Sequence, residues 1–149
     1  MISYETVFSR ARNKYYDPKE WSLNPDDLLE INTERLHSAF GNVRMRNLFS
    51  SIILDDEVQE LDFSLKHSVD EFSDNEFVIE LLALSIVIEW LASQVDSVKN
   101  TAPMIGGKED KKILDNHKDM IDRLESLENK RNKIVRDYGY LHNSYIGGE

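Results

Sequence analysis

The sequence predicts a mainly α-helical fold: a small helical bundle around one central apolar helix, with a β-hairpin insertion and a long C-terminal helix plus an extended tail. Three patterns indicate this fold. All but three of residues 77–92 are apolar, which is typical of a helix surrounded by protein. Residues 61–65 alternate between apolar and polar, as a half-buried strand does. Residues 108–138 are highly charged but carry apolar side chains at helical spacing. We expect a single domain over residues 1–138 and a separate tail over residues 139–149.

The composition disfavours several classes of protein. The chain has 149 residues, of which 28 are acidic and 18 basic, and its formal net charge is −10. A field of this sign repels phosphate, which argues against a reader of nucleic-acid sequence. The absence of cysteine removes disulfides, thiol nucleophiles and cysteine zinc sites. Residues 1–20 contain no apolar run of the kind found in signal peptides, so we expect the protein to remain in the cytoplasm.

Two helices are predicted before the hairpin. The first covers residues 4–16, with Ser3 as its cap and Trp21 in the loop that follows. The second covers residues 25–40. Asn24 caps it, and a proline occupies its first position, where the missing N–H costs nothing.

A β-hairpin is predicted at residues 49–66. The first strand, over residues 49–54, is rich in isoleucine, and the acidic residues 55–57 form the turn. An isolated two-stranded hairpin is only marginally stable in water. The hairpin must therefore pack on helices of the same chain or on another subunit.

The central apolar helix is predicted to follow a capping box at residues 73–76. Glu80 and Glu89 lie on opposite sides of it, so no face is broadly polar. A membrane span is disfavoured, because the apolar run is shorter than about 20 residues and contains two carboxylates. We expect Glu89 to pair with a cation of a neighbouring helix or subunit rather than to serve as a catalytic acid. The residues expected in the core are Leu81, Leu84, Ile88, Trp90 and Leu91.

No motif predicts catalysis, a metal or a cofactor. Glu34 and His37 match half of a di-iron helix signature, but no second Glu-x-x-His occurs in the chain. Gly106-Gly107-Lys108 lacks both the earlier glycine and the following serine or threonine of a phosphate-binding loop. We therefore predict that the protein is not an enzyme.

The predicted long helix has one narrow apolar seam and a basic end. Its seam consists of Ile113, Met120, Leu124, Leu127, Ile134 and Tyr138. The basic residues at its end are Lys130, Arg131, Lys133 and Arg136. They either complement the helix dipole or form a docking surface for an acidic neighbour. The aromatic residues of the tail are unusual in a free terminus and favour an anchor that folds onto a partner.

Residues 82–97 resemble the central helix of bacteriophage neck proteins, the head-to-tail connector (adaptor) proteins of tailed phages. The resemblance rests on an apolar helix that ends in Glu-Trp-Leu at residues 89–91. A short polar segment and a longer charged helix follow it, as in the family. Residues 7–8 and 14–15 resemble the opening helix of the family.

The resemblance implies a structural virion protein of the phage neck, present in the host cytoplasm during assembly. About twelve copies would form a ring beneath the portal, join the head to the tail and continue the DNA channel without specific DNA binding. The implied partners are the portal protein and the next neck or tail protein. The expected portal anchors are Tyr138, Tyr140, Leu141, Tyr145 and Ile146. The expected subunit contacts are Ile52, Ile53, Leu54, Phe63, Arg131 and Arg136.

Two other functions remain as hypotheses. A small acidic helical regulator would sequester a basic partner protein through its negative surface. A di-iron or other metal enzyme would depend on Glu34 and His37, which are only half of the required set.

Overall fold

The structure, a computed structural model, describes residues 1–101 and 108–138. Along these residues it contains six helices and one three-stranded sheet. In chain order they are β1 (Ile2–Ser3), α1 (Tyr4–Arg12), α2 (Pro18–Trp21), α3 (Pro25–Ala39), α4 (Val43–Arg46), β2 (Phe49–Asp55), β3 (Glu60–Leu65), α5 (Glu71–Thr101) and α6 (Lys108–Asp137). The predicted fold class, mainly helical with a hairpin insertion, is confirmed.

The sheet is antiparallel and its strand order is β1-β3-β2. Strands β2 and β3 form the predicted hairpin, with Ile52 opposite Phe63 and Ile53 opposite Asp62. The alternation of side chains directs Ile52 and Phe63 towards the helices and leaves Ile53 and Asp62 outside. Strand β1, which the sequence did not predict, pairs with β3 and anchors the start of the chain to the hairpin.

Helix α5 forms the centre of the protein. It packs against α1, α3 and α6. The five side chains expected in its core, Leu81, Leu84, Ile88, Trp90 and Leu91, are all buried. Phe77 stacks on Tyr138 near one end of the α5–α6 pair, and the His117 imidazole contacts the Val95 carbonyl at 3.2 Å towards the other. These two contacts make α5 and α6 antiparallel neighbours.

By length and composition alone, residues 71–97 could cross a membrane, because an 18-residue window within them has a mean hydropathy of 1.8. Within the fold, 72% of this apolar window is buried against other parts of the chain. The apolar stretch of α5 is therefore buried to the extent expected of a core helix.

Several predicted bounds are wrong at the ends of helices. Helix α5 begins at Glu71, because Asp70 accepts a hydrogen bond from the backbone N–H of Ser73 and caps the helix before the predicted capping box. Helix α1 ends at Arg12, earlier than predicted. Trp21 is the last residue of the short helix α2 rather than part of a loop.

Candidate functional site

Trp90, the tryptophan of the Glu-Trp-Leu sequence, joins α5 to the start of α2. Its indole N–H donates a 2.8 Å hydrogen bond to Oδ2 of Asp17, and its ring lies 4.6 Å from that of Tyr15. Asp17 also accepts from the backbone N–H of Glu20 and so caps α2. Burial raises the pKa of Asp17, but these hydrogen bonds outweigh it and hold the pKa below its usual value. The residues that carry the family resemblance thus stabilise the fold.

A buried ion pair lies beside this contact. The carboxylate of Glu20, which is only 8% exposed, accepts a 2.7 Å hydrogen bond from the Tyr15 hydroxyl. It also forms an ion pair with the Arg35 guanidinium at 2.5 Å. Burial and the bond to Glu20 raise the pKa of Tyr15 to about 12. A buried carboxylate satisfied by both a cation and a hydroxyl is typical of a structural group.

Tyr138 is packed against the beginning of α5. Its ring stacks on Phe77 with 3.7 Å between ring centres, and its hydroxyl donates a 2.6 Å hydrogen bond to Oδ1 of Asp74. Asp74 also accepts from the Ser68 hydroxyl and the Val69 backbone N–H. Burial raises the pKa of Asp74, but the three hydrogen bonds together lower it below its usual value. The ring and the hydroxyl of Tyr138 are thus both in contact within the fold, as its place in the predicted seam of the long helix requires. Its additional role as a portal anchor stays a prediction.

The other predicted anchors, Tyr140, Leu141, Tyr145 and Ile146, lie outside the described residues, as does the glycine loop at 106–107. The anchor prediction for this part of the tail stays a prediction.

His37 pairs with the turn of the hairpin. Its Nε2 lies 2.9 Å from both carboxylate oxygens of Asp56, and Asp56 also accepts from the Tyr4 hydroxyl at 2.6 Å. The bond from Tyr4 and the contact with His37 lower the pKa of Asp56. In the described part of the chain, no group of three or more His, Asp or Glu side chains is placed to hold a metal ion. His37 thus fixes the hairpin against α3.

The two glutamates of α5 have different surroundings. Glu80 lies within ion-pair distance of Lys14 and of Arg10, which also binds Glu76 at 2.9 Å. Glu89 is half-buried and forms no ion pair with a described residue of its own chain. The predicted pairing of Glu89 within the subunit is therefore not found there; Glu80 is the carboxylate that pairs between helices.

The predicted subunit contacts fall into two groups. Ile52, Leu54 and Phe63 are half-buried and pack on the core, because they occupy the inward positions of the hairpin. Their role as subunit contacts stays a prediction. Arg131 is also half-buried, whereas Ile53 is 62% exposed and the side chain of Arg136 is 72% exposed.

Arg136 lines a groove between α4 and the end of α6, which we call the basic groove. Its volume is about 880 Å³, and it is lined by Arg44, Asn47, Leu48, Asn129, Asn132, Lys133, Val135 and Arg136. The lining thus combines three cations, three amides and two apolar side chains, and it includes no carboxylate. Arg44 and Lys133 form no ion pair with any residue in the described ranges, and Arg136 contacts only its neighbour Asp137, at 3.1 Å. The basic end of α6 that lines this groove is evident from the sequence, whereas the contribution of Arg44 is not.

Ile53 lies on the outer surface of the hairpin, which we call the acidic face. A shallow pocket of about 210 Å³ there is lined by Met1, Ile53, Asp55, Val58, Glu60, Leu61 and Asp62. Met1, Ile53 and Val58 are 78%, 62% and 61% exposed. Three carboxylates thus surround an exposed apolar patch, a composition that suits binding to a surface with cations and apolar groups.

A scan against protein-family models, a search of curated proteins and a search of solved structures each found no match to this chain.

Proposed function

We propose that this chain is a structural subunit of a tailed-phage virion, an adaptor that forms a ring beneath the portal and joins the head to the tail. The resemblance of residues 82–97 to phage neck proteins supports this assignment. In such a ring each copy needs at least two separate interaction surfaces, one for each neighbour.

The observation that carries the proposal is the presence of two chemically opposite surfaces on one small body. The basic groove lacks a carboxylate, and the acidic face combines three carboxylates with exposed apolar side chains. The basic groove and the pocket of the acidic face are open, and the buried carboxylates of Glu20 and Asp74 accept internal hydrogen bonds. Polar groups on two open surfaces, and buried carboxylates used within the fold, suit a protein that acts by binding other proteins through its surfaces.

The internal contacts suggest which segment of the chain would serve each role in the proposed ring. The Trp90–Asp17 and Tyr138–Asp74 contacts hold the helices around α5. Tyr138, the last described residue, lines a small pocket together with Leu48 at the edge of the basic groove. Residues 139–149 are proposed to anchor on the portal through Tyr140, Leu141, Tyr145 and Ile146. The net charge of −10 would let DNA pass through the ring without binding.

The acidic face also favours a second candidate, a small helical regulator that sequesters a basic protein. A regulator of this kind would bind its basic partner as a monomer or dimer, whereas an adaptor would form a higher-order ring. The mass of the complex separates the two.

The reading frames next to this gene give the first test. The adaptor proposal expects a portal gene and a capsid gene directly upstream, and co-expression of that portal protein should retain this chain on it. A genome in which neither gene lies nearby, or a portal that does not retain the chain, would contradict the proposal.

A further inference from the structure

The basic groove and the acidic face have complementary chemistry. The groove offers three cations, together with Leu48 and Val135. The face offers three carboxylates around Met1, Ile53 and Val58. The asparagines of the groove can donate to carboxylates and to backbone carbonyls of an arriving strand. The groove and the face are therefore complementary both in charge and in their apolar side chains.

The two surfaces cannot meet within one copy. Leu48, in the groove, immediately precedes strand β2, whereas Asp55, on the face, is the last residue of that strand. A strand of this length holds its ends about 20 Å apart. A contact between the groove and the face is therefore a contact between two copies.

We infer that the basic groove of one copy binds the acidic face of the next. We favour a second copy as the partner that fills the groove, because this chain itself carries a surface of complementary charge. A basic groove is also exceptional on a chain whose net charge is −10. A contact between two different patches is heterologous, and such contacts generate closed rings or open filaments rather than two-fold dimers. This inference deepens the proposed function and rests on it, since it names the surfaces that join ring neighbours.

The test uses charge reversal on each surface of the full chain. The groove variant is Arg44→Glu with Lys133→Glu, and the face variant is Glu60→Lys with Asp62→Lys. None of these four side chains makes an ion pair within the described ranges, so their reversal breaks no internal ion pair there; Asp62 does accept a 3.0 Å hydrogen bond from the backbone N–H of Phe63, which its replacement removes. Lys112→Glu with Lys118→Glu is the matched control, because it makes the same charge change elsewhere on α6. Circular dichroism verifies that each variant is folded.

Self-association is measured by sedimentation velocity and by NMR titration up to millimolar protein, at low and at high salt. Each reversal should weaken it at least about tenfold, because like charges then face each other. The chain with all four substitutions should associate again, since the reversed surfaces are once more complementary. The control should behave as wild type, and salt should weaken the wild-type contact.

Three results would overturn the inference: a wild-type chain that stays monomeric at millimolar concentration, reversals without effect, or no recovery in the four-substitution chain. Portal binding is measured separately. If the wild-type chain and the charge-reversal variants form the same ring on the portal, this interface alone would be refuted. Recovery in solution without any portal binding would refute the adaptor function alone.

Discussion

The Tyr138 hydroxyl donates a 2.6 Å hydrogen bond to the carboxylate of Asp74, 64 residues earlier in the chain. The same tyrosine stacks on Phe77. The end of α6 is thereby fixed to the beginning of α5, next to the basic groove. This contact fixes the last described residue of the chain to the core helix.

Substitution of Tyr138 separates its two contacts. Tyr138→Phe keeps the stacked ring and should lower the free energy of unfolding by about 1.5 kcal/mol, the usual value of a hydrogen bond to a charged group. Tyr138→Ala also removes the ring and should cost about 3 kcal/mol. Urea unfolding measures both. Tyr16→Phe, at a residue that is 74% exposed, is the matched control and should change little. Equal stability of Tyr138→Phe and wild type would show that the hydroxyl contact is absent.

The Asp74 carboxylate should make stability dependent on pH in the acid range. Its pKa is lowered in the folded state, so its contribution is present above the unfolded pKa, near 3.9, and is lost as the pH falls through the folded pKa. Asp74→Asn should cost about 1–2 kcal/mol at neutral pH. The difference from wild type should shrink below about pH 4. Unfolding curves at a series of pH values measure it, and a difference that is constant with pH would contradict the account.

Trp90 and Asp17 should be energetically coupled. Trp90→Phe removes the indole donor, and Asp17→Ala removes both the acceptor and the cap of α2; each should cost about 2 kcal/mol. In a double-mutant cycle, the combined loss should be about 1 kcal/mol smaller than the sum. Asn24→Ala, which removes a cap that does not touch Trp90, should be additive with Trp90→Phe. Additivity for Asp17 as well would refute the contact.

The two faces of the hairpin should respond differently to substitution. Phe63→Ala, on the inward face, should destabilise the fold by about 2 kcal/mol. Ile53→Thr keeps a β-branched side chain on the outer face and should change stability by less than about 0.5 kcal/mol, but it should weaken self-association. Thermal unfolding and sedimentation measure the two effects. A large loss of stability in Ile53→Thr, or unchanged association, would contradict the acidic-face assignment.

Local patterns in the sequence predicted the fold well. The run of apolar residues in α5 predicted a helix surrounded by protein, which the fold confirms, and the alternation in β3 defines its inward side chains. Strand β1 was missed because a strand of two residues contains no period. The start of α5 was misplaced because Asp70 and Ser73 both carry capping chemistry, and only the fold selects between them.

The interaction surfaces were less predictable, because they combine distant segments. The basic end of α6 is visible in the sequence, but Arg44 joins it only through the packing of α4. The link between Tyr138 and Asp74 likewise depends on the antiparallel packing of α5 and α6. An aromatic residue near a terminus suits a partner anchor and an internal contact equally well, and the fold shows the internal contact of Tyr138.

The most direct test of the adaptor proposal is the mass and shape of a complex between this chain and the portal protein that the proposal expects to be encoded beside it. Electron microscopy of the mixture should reveal a ring of this chain on one end of the portal, in the symmetry of the portal. A variant that ends after Tyr138 should remain folded, because the Asp74 contact is retained, but should fail to bind. A wild-type chain that forms no portal complex, or a truncated chain that binds as well as the full one, would contradict the account.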